Sequence, residues 1–291
     1  MIPDELFKKI RQIEVRTKGL VQNVFGGEYH TAFKGQGIEF SEVRPYQFGD
    51  EIRNIDWNVS ARTNDTYVKV YEEEREQTVM LLVDVSGSGN FGTQGKFKRE
   101  VAAEVCAVIA FSAVQNNDKV GLLLFSDEVE LFVPPKKGRR HVLRMVRDLF
   151  AYEPDSRGTD IQGALDHLMR LVRRRAVVVL ISDFFDAGYE KTLRGAGRRH
   201  DLVAVHLQDP REEELPPVGL VDFVDAETGE TVTLDTRSSE ARERYAEHAH
   251  QQRADTKALL RRARVDTVPI RTDEGYVEPL IRFFRQRNRR A

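Results

Sequence analysis

Two serines and an aspartate occupy alternate positions where an apolar run of the sequence ends. The run is Val79–Val83, and the three residues are Asp84, Ser86 and Ser88. One carboxylate and two hydroxyls at that point offer hard oxygen atoms without thiolate or imidazole, and such atoms suit Mg²⁺, Mn²⁺ or Ca²⁺. The pattern therefore predicts a divalent metal site, with Mg²⁺ as the preferred ion, at the end of a buried strand.

Two more oxygen donors follow at positions where other loops should reach the same edge of a sheet. Thr159 lies in Gly158-Thr159-Asp160, and Asp183 follows the run Leu180-Ile181-Ser182. With Asp84, Ser86 and Ser88 they make a set of two carboxylates and three neutral hydroxyls. Such a set leaves a divalent ion short of both charge and ligands, so an acidic group from a partner could complete the site.

Hydroxyls and carboxylates at strand ends also have a simpler use, since they often cap the next helix. The set contains few carboxylates for two-metal phosphoryl chemistry, and Ser86 has no base partner evident from the sequence. We therefore predict a binding protein with no catalytic residue. Two alternatives stay open at this point: a metal-dependent hydrolase that uses the same site, and a structural scaffold that binds no metal.

Strand-like and helical segments alternate around these residues after position 77. Apolar runs typical of strands cover 78–84, 119–126, 129–133, 176–182 and 201–207. Helical spacing covers 96–116, 139–150, 161–173, 188–199, 238–264 and 277–287, and a hairpin is expected over 221–235. Strands that are apolar on both faces predict an α/β fold with a mostly parallel sheet and helices on both faces. Ligands bind beyond the carboxyl ends of such strands.

The segment before position 78 has a different texture. Apolar residues at near-helical spacing predict a helix over 6–25, and short segments rich in Gly, Tyr, Phe and Val follow as far as 77. We expect two domains: 1–77, with this helix and a small β-rich module, and 78–291, the α/β domain with a C-terminal helical extension.

Composition narrows the possible partners and the compartment. The 291 residues include 45 Lys and Arg against 47 Asp and Glu, so the net charge of −2 favours neither nucleic acid nor an anionic membrane as partner. The one cysteine, Cys106, excludes an internal disulfide and fits a reducing compartment. No apolar run approaches the ~20 residues of a transmembrane helix. We expect a cytoplasmic protein without an integral membrane segment.

The five oxygen-bearing residues resemble the metal-ion-dependent adhesion site of von Willebrand factor A domains. Their order agrees with that plan, with 75 residues from Asp84 to Thr159 and 24 from there to Asp183. The resemblance implies a von Willebrand factor A-like, Rossmann-like fold. It also implies that Ser86, Ser88 and Thr159 are the closer metal ligands, while Asp84 and Asp183 act directly or through water. In that family an acidic group of the partner fills the last coordination position.

A second resemblance rests on the N-terminal segment. The string Gly35-Gln36-Gly37-Ile38-Glu39-Phe40-Ser41-Glu42-Val43-Arg44-Pro45-Tyr46, with Gly49-Asp50 and Arg53-Asn54-Ile55-Asp56-Trp57 after it, is similar to the family called domain of unknown function 58. Members join such a segment to a von Willebrand factor A-like domain and are typically encoded beside MoxR-type AAA+ ATPases. The resemblance implies an adaptor or co-chaperone that works with such an ATPase on an unidentified client protein.

Overall fold

The computed structural model describes residues 29, 33, 39–63, 65–72, 76–92, 96–154, 156–226 and 229–289. The helix predicted over 6–25 lies outside these residues. The described residues form two compact units. One comprises Phe33–Gln77, and the other comprises Tyr29 together with the described residues from Thr78 onward. Each unit is described by itself below.

The smaller unit is built on an antiparallel pair of strands. β1 (Glu39–Pro45) pairs with β2 (Tyr67–Glu72), and the helix α1 (Trp57–Thr63) lies between them in the chain. The guanidinium of Arg44, at the end of β1, donates two hydrogen bonds of 2.8 and 2.7 Å to the carboxylate of Asp50. The β-rich texture of the sequence thus corresponds to one strand pair and a short helix that the sequence did not predict.

The larger unit contains the remaining strands and helices of the described chain. The strands are β3 (Thr78–Asp84), β4 (Lys119–Phe125), β5 (Val129–Lys136), β6 (Val177–Ser182), β7 (Asp201–Gln208), β8 (Leu220–Val224), β9 (Thr231–Asp235) and β10 (Asp266–Arg271). The helices are α2 (Lys98–Gln115), α3 (Arg139–Ala151), α4 (Ile161–Leu171), α5 (Glu190–Arg199), α6 (Pro210–Glu213), α7 (Ser239–Arg262) and α8 (Val277–Asn288). None of the helices in the described part of the chain is long and apolar enough to cross a membrane.

The central sheet has the strand order β10-β7-β6-β3-β4-β5. All neighbours are parallel except β4 and β5, so the edge strand β5 is the antiparallel one. This confirms the predicted α/β fold with a mostly parallel sheet. β8 and β9 pair separately as the predicted hairpin.

The edge strand β10 was not predicted, because its sequence is a poor strand pattern. It contains Pro269, whose backbone has no N–H to donate, and its polar and apolar residues are mixed. A proline is tolerated in an edge strand, where one side of the backbone has no neighbouring strand. β10 pairs with β7 alone, in parallel register from Asp266 opposite Val203 to Arg271 opposite Gln208.

The core lies on both faces of the sheet, because β3 presents apolar side chains in both directions. On one face, Met80 and Leu82 of β3 pack with Leu165 of α4 and Leu193 of α5. On the other face, α2 packs against β3 and β4 and also against α3. Burial on both faces fixes the strand ends in space, and with them the loops that carry the oxygen donors.

Candidate metal centre at the sheet edge

The strand order places two of the predicted ligands beside each other. β3 and β6 are adjacent and parallel, but the chain continues from β3 to β4 on one side and from β6 to β7 on the other. A crevice forms where connections diverge in this way, beyond the carboxyl ends of the strands. Asp84 is the last residue of β3, and Asp183 directly follows β6. Both therefore lie at the crevice.

Asp84 is held by hydrogen bonds from two neighbouring segments. Its Oδ1 accepts a bond of 3.0 Å from the backbone N–H of Ser86, and its Oδ2 accepts a bond of 2.7 Å from the hydroxyl of Ser182. The hydroxyls of Ser86 and Ser88 lie 3.0 Å apart and are hydrogen-bonded to each other. Four polar side chains thus meet at the end of β3, and we call them the hydroxyl cluster: Asp84, Ser86, Ser88 and Ser182.

Thr159 reaches this edge through a loop that is tied down on both sides of it. The backbone N–H of Gly87 donates to the carbonyl of Arg157 at 2.9 Å, and the N–H of Asp160 donates to the carbonyl of Ser126 at 2.8 Å. Asp160 then caps α4, since its Oδ1 accepts from the N–H of Gly163 at 2.8 Å. These bonds link the Thr159 segment to the Ser86–Ser88 loop.

The β8–β9 hairpin also closes on the loop of the hydroxyl cluster. A Cβ atom placed on Gly87 would lie 2.3 Å from the carbonyl oxygen of Ala226, which follows β8, and 3.4 Å from that of Arg157. Such distances leave no room for a side chain at position 87. Glycine at this position allows two other segments to approach the backbone closely.

Asp183 has a different set of partners. Its Oδ2 accepts a hydrogen bond of 2.8 Å from the ammonium of Lys98 in α2, and its Oδ1 accepts one of 3.3 Å from the N–H of Phe185. Lys98 also donates to Glu212 of α6, and only 2% of its side chain is exposed. A buried lysine needs such carboxylate partners to stay charged. We call Lys98, Asp183 and Glu212 the ion-pair cluster.

The electrostatic consequences for the two aspartates are opposite. Burial and, to a smaller extent, the nearby Asp183 carboxylate raise the pKa of Asp84 to about 7, although hydrogen bonds from Ser86 and Ser182 act in the other direction. Burial also acts to raise the pKa of Asp183, but the Lys98 ammonium and the Ser88 hydroxyl outweigh it, so that pKa is lowered. The difference arises because Asp183 lies beside the Lys98 ammonium, whereas Asp84 has no ion pair within the described residues.

The five predicted donors, Asp84, Ser86, Ser88, Thr159 and Asp183, fit a divalent cation in their chemistry, with one limitation. In the described ranges, no three His, Cys, Asp or Glu side chains are grouped as a metal site, so a metal here would depend on serine and threonine hydroxyls. The set fits Mg²⁺ in chemistry, because its donors are all oxygen and Asp84 has no ion pair within the described chain. Lys98 limits the fit, since it already engages one oxygen of Asp183.

Sequence analysis missed three residues that shape this site. Ser182 was seen only as part of the strand, although it bonds Asp84 directly. Lys98 had a usable signal, since it lies one helical turn before Val101 and Ala102, on the buried face of α2. Glu212 had no signal, because only the tertiary fold brings α6 beside the first turn of α2.

Two comparisons of sequence identify relatives. The family described as "Protein of unknown function DUF58" matches residues 42–255. Uncharacterized protein Rv1480 of Mycobacterium tuberculosis is 33% identical over 290 residues, which is 99% of this chain and 91% of that protein.

Solved structures share the fold at low sequence identity. An aerotolerance-related membrane protein from Bacteroides fragilis gives a TM-score of 0.50 at 15% identity, over 74% of this chain and 100% of that chain. The SpRpn10 VWA domain gives 0.40 at 11% identity, over 71% of this chain and 94% of that chain. At such identities a likeness concerns the fold alone. The fold shared with the aerotolerance-related protein is an α/β fold with a mostly parallel sheet, as the sequence predicted.

Proposed function

This chain belongs to the DUF58 family, and we propose that it is a metal-dependent protein-interaction module rather than an enzyme. One observation supports this most: Asp84 is a half-buried carboxylate with a raised pKa and no ion pair in the described chain, and it stands beside the hydroxyls of Ser86 and Ser88. A carboxylate partly withdrawn from water without a cation is costly, and a divalent ion would supply the missing charge.

The residues of the site have distinct roles in this proposal. Asp84, Ser86, Ser88 and Thr159 would hold Mg²⁺, with Mn²⁺ or Ca²⁺ as substitutes, and Asp183 would act directly or through water. The ion supplies positive charge and a coordination position for an acidic side chain of a partner. The Lys98 ammonium keeps Asp183 ionised and oriented, through its bond of 2.8 Å.

The partner we propose is a MoxR-type AAA+ ATPase, with this protein as the adaptor that directs it to a client protein in the cytoplasm. The support is the family resemblance together with the chemistry of the site. An ion held by two carboxylates and three hydroxyls gains both charge and a ligand from an incoming Glu or Asp. Association should therefore require both the metal and an acidic residue supplied by the partner.

The test is a pull-down of the co-encoded MoxR-type ATPase in Mg²⁺ and in EDTA, with the Thr159→Ala variant alongside. We expect binding in Mg²⁺, loss of binding in EDTA, and recovery when Mg²⁺ is restored. Thr159→Ala should weaken binding at least tenfold without unfolding the chain, since one half-buried hydroxyl contributes little to the core.

Thr78→Ala is the matched control, because Thr78 is the first residue of β3 and Asp84 is the last. It should leave binding unchanged. Binding that persists in EDTA would place the interface elsewhere and contradict the proposal. Turnover of a phosphoester that is lost in Thr159→Ala would favour a hydrolase.

A second candidate, a scaffold without metal, is favoured by one specific observation. Lys98 already brings a buried positive charge to Asp183, which reduces the need for a metal on that side of the site. Calorimetric titration with Mn²⁺ separates the two candidates. The interaction module requires one ion per chain, lost in Asp84→Ala, whereas the scaffold predicts no heat of binding.

A further inference from the structure

A cavity of 220 Å³ adjoins the candidate metal centre. It lies between the first turn of α2, the end of α3 and the loop that carries Ser86. A cavity of ~150 Å³ lined by apolar side chains is large enough to bind benzene. This one therefore has room for an aliphatic or aromatic side chain of ordinary size.

The wall of the cavity is apolar on one part and polar on the rest. The apolar part is formed by Val83, Val85, Ala102, Leu149, Phe150 and Pro154, and Arg99 and Glu100 belong to the polar part. The Tyr152 hydroxyl, which also lines it, is engaged by the backbone carbonyl of Glu130 at 3.1 Å and by its carboxylate at 2.9 Å. Selection within the cavity would thus depend on size and apolar contact.

The cavity and the candidate metal centre share residues. Asp84 and Ser86 line the cavity and are also two of the candidate metal ligands. Arg99 is exposed and lines it as well, with its guanidinium 5.7 Å from the ring centre of Phe97. Because Asp84 and Ser86 belong to both, an apolar group beside an acidic residue held at the metal could enter the apolar part of the cavity.

We propose that the acidic residue captured at the metal belongs to a partner protein segment in which a neighbouring apolar side chain, of about the size of leucine, fills this cavity. The proposal rests on the function proposed above and adds a specificity subsite to it. The carboxylate would supply the metal dependence, and the apolar side chain would distinguish one acidic segment from another. Burial of apolar surface strengthens binding in proportion to the area removed from water.

Simple carboxylates test the subsite without an identified partner. Acetate, butyrate and hexanoate are titrated against the Mn²⁺-loaded full chain by calorimetry. We expect affinity to rise by about fourfold per methylene until the cavity is filled, because each buried methylene contributes a constant increment. Acetate binding alone reports on the metal and carboxylate interaction, and the rise with chain length reports on the cavity.

Ala102→Leu is the main variant, since residue 102 lines the cavity, is 2% exposed and is no metal ligand. The larger side chain should abolish the rise with chain length, while Mn²⁺ and acetate affinities stay as in the wild type. Phe150→Ala widens the same cavity, so the carboxylate that binds with the highest affinity should be longer than for the wild type. This second variant keeps the test valid where Ala102→Leu disturbs folding.

A pair of blocked dipeptides tests whether the ligand is a protein segment. N-acetyl-aspartyl-leucine amide should bind at least tenfold more tightly than N-acetyl-aspartyl-alanine amide, and Ala102→Leu should remove the difference. Metal-dependent acetate binding with no gain from hexanoate or from leucine overturns the subsite alone. If hexanoate binds more tightly than acetate but the leucine dipeptide binds no more tightly than the alanine dipeptide, the cavity is a site for alkyl carboxylates, and the proposed protein segment is overturned. Absence of acetate binding overturns the proposed function itself.

Discussion

Asp84 and Asp183 stand at the carboxyl ends of neighbouring parallel strands, in the hydroxyl cluster and the ion-pair cluster respectively. Burial disfavours the charge of both carboxylates. Lys98 nevertheless lowers the pKa of Asp183, whereas the pKa of Asp84 is raised to about 7 by burial and by its neighbour Asp183. Asp183 has a cation of the protein beside it, whereas Asp84 has none among the described residues.

This difference separates a structural polar site from one poised for a ligand. In the ion-pair cluster the Lys98 ammonium is shared by two carboxylates, so each of them has a cation of the protein beside it. In the hydroxyl cluster, the donors to Asp84 among the described residues are neutral, and they include the N–H of Ser86 and the hydroxyl of Ser182. A cation from solution binds most favourably where a carboxylate has no cation of the protein beside it.

The largest expected effect is on stability and follows from Lys98→Met. The variant leaves the carboxylates of Asp183 and Glu212 buried without their shared cation, and breaking a buried pair in this way costs about 3–5 kcal/mol. The free energy of unfolding, measured with urea, should fall by that amount. Arg244→Met is the matched control, since Arg244 and its partner Glu240 are both exposed and their pair should be worth less than ~1 kcal/mol. Equal losses in the two variants would remove the special role of Lys98.

The second prediction concerns Asp84→Asn, which keeps an acceptor for the Ser182 hydroxyl but removes the charge. At a free Mg²⁺ concentration of 100 times the dissociation constant, the wild type should gain about 2.7 kcal/mol in unfolding free energy. The variant should gain none. Asp222→Asn, at an exposed aspartate of β8, should keep the full gain. Unfolding curves with Mg²⁺ and with EDTA give all three values, and a gain retained in Asp84→Asn contradicts the site.

The smallest expected effect is a change of stability with pH in metal-free protein. Folding raises the Asp84 pKa from 3.8 to about 7, so the folded state binds a proton more tightly than the unfolded state between these values. The contribution of Asp84 to stability is therefore greatest below pH 3.8 and is lost as pH rises towards 7. From pH 5.5 to 7 the loss should be about 2 kcal/mol relative to Asp84→Asn.

The comparison of the two proteins isolates Asp84 from other titrating groups. Burial lowers the pKa of His206, for example, to about 4, so protonation of this side chain on acidification destabilises the folded state. The effect is the same in both proteins and cancels in their comparison. Saturating Mg²⁺ should cancel the loss in the wild type near pH 7. If the unfolding free energies of the wild type and of Asp84→Asn changed in parallel with pH, the fold would not raise the pKa of Asp84 in the metal-free protein.

The sequence by itself determined the class of fold and the position of the candidate site along the chain. Apolar runs such as 78–84 and 176–182, which alternate with helical segments, are typical of strands buried on both faces, and in a parallel sheet their carboxyl ends meet at one edge. Asp84 and Asp183 are therefore expected at the same edge. The sequence contains no such signal for β10, because an edge strand tolerates Pro269 and a mixture of polar and apolar residues.

Only the tertiary structure decided how the charges at that edge are balanced. Lys98, Asp183 and Glu212 come from three separate elements, and Ala226 reaches Gly87 from a hairpin more than a hundred residues away. A pKa depends on burial and on charges within a few ångströms, and neither is encoded in the spacing of residues along the chain. The sequence could therefore supply the oxygen donors, but only the packing of α2 and α6 shows that one aspartate is neutralised and the other is not.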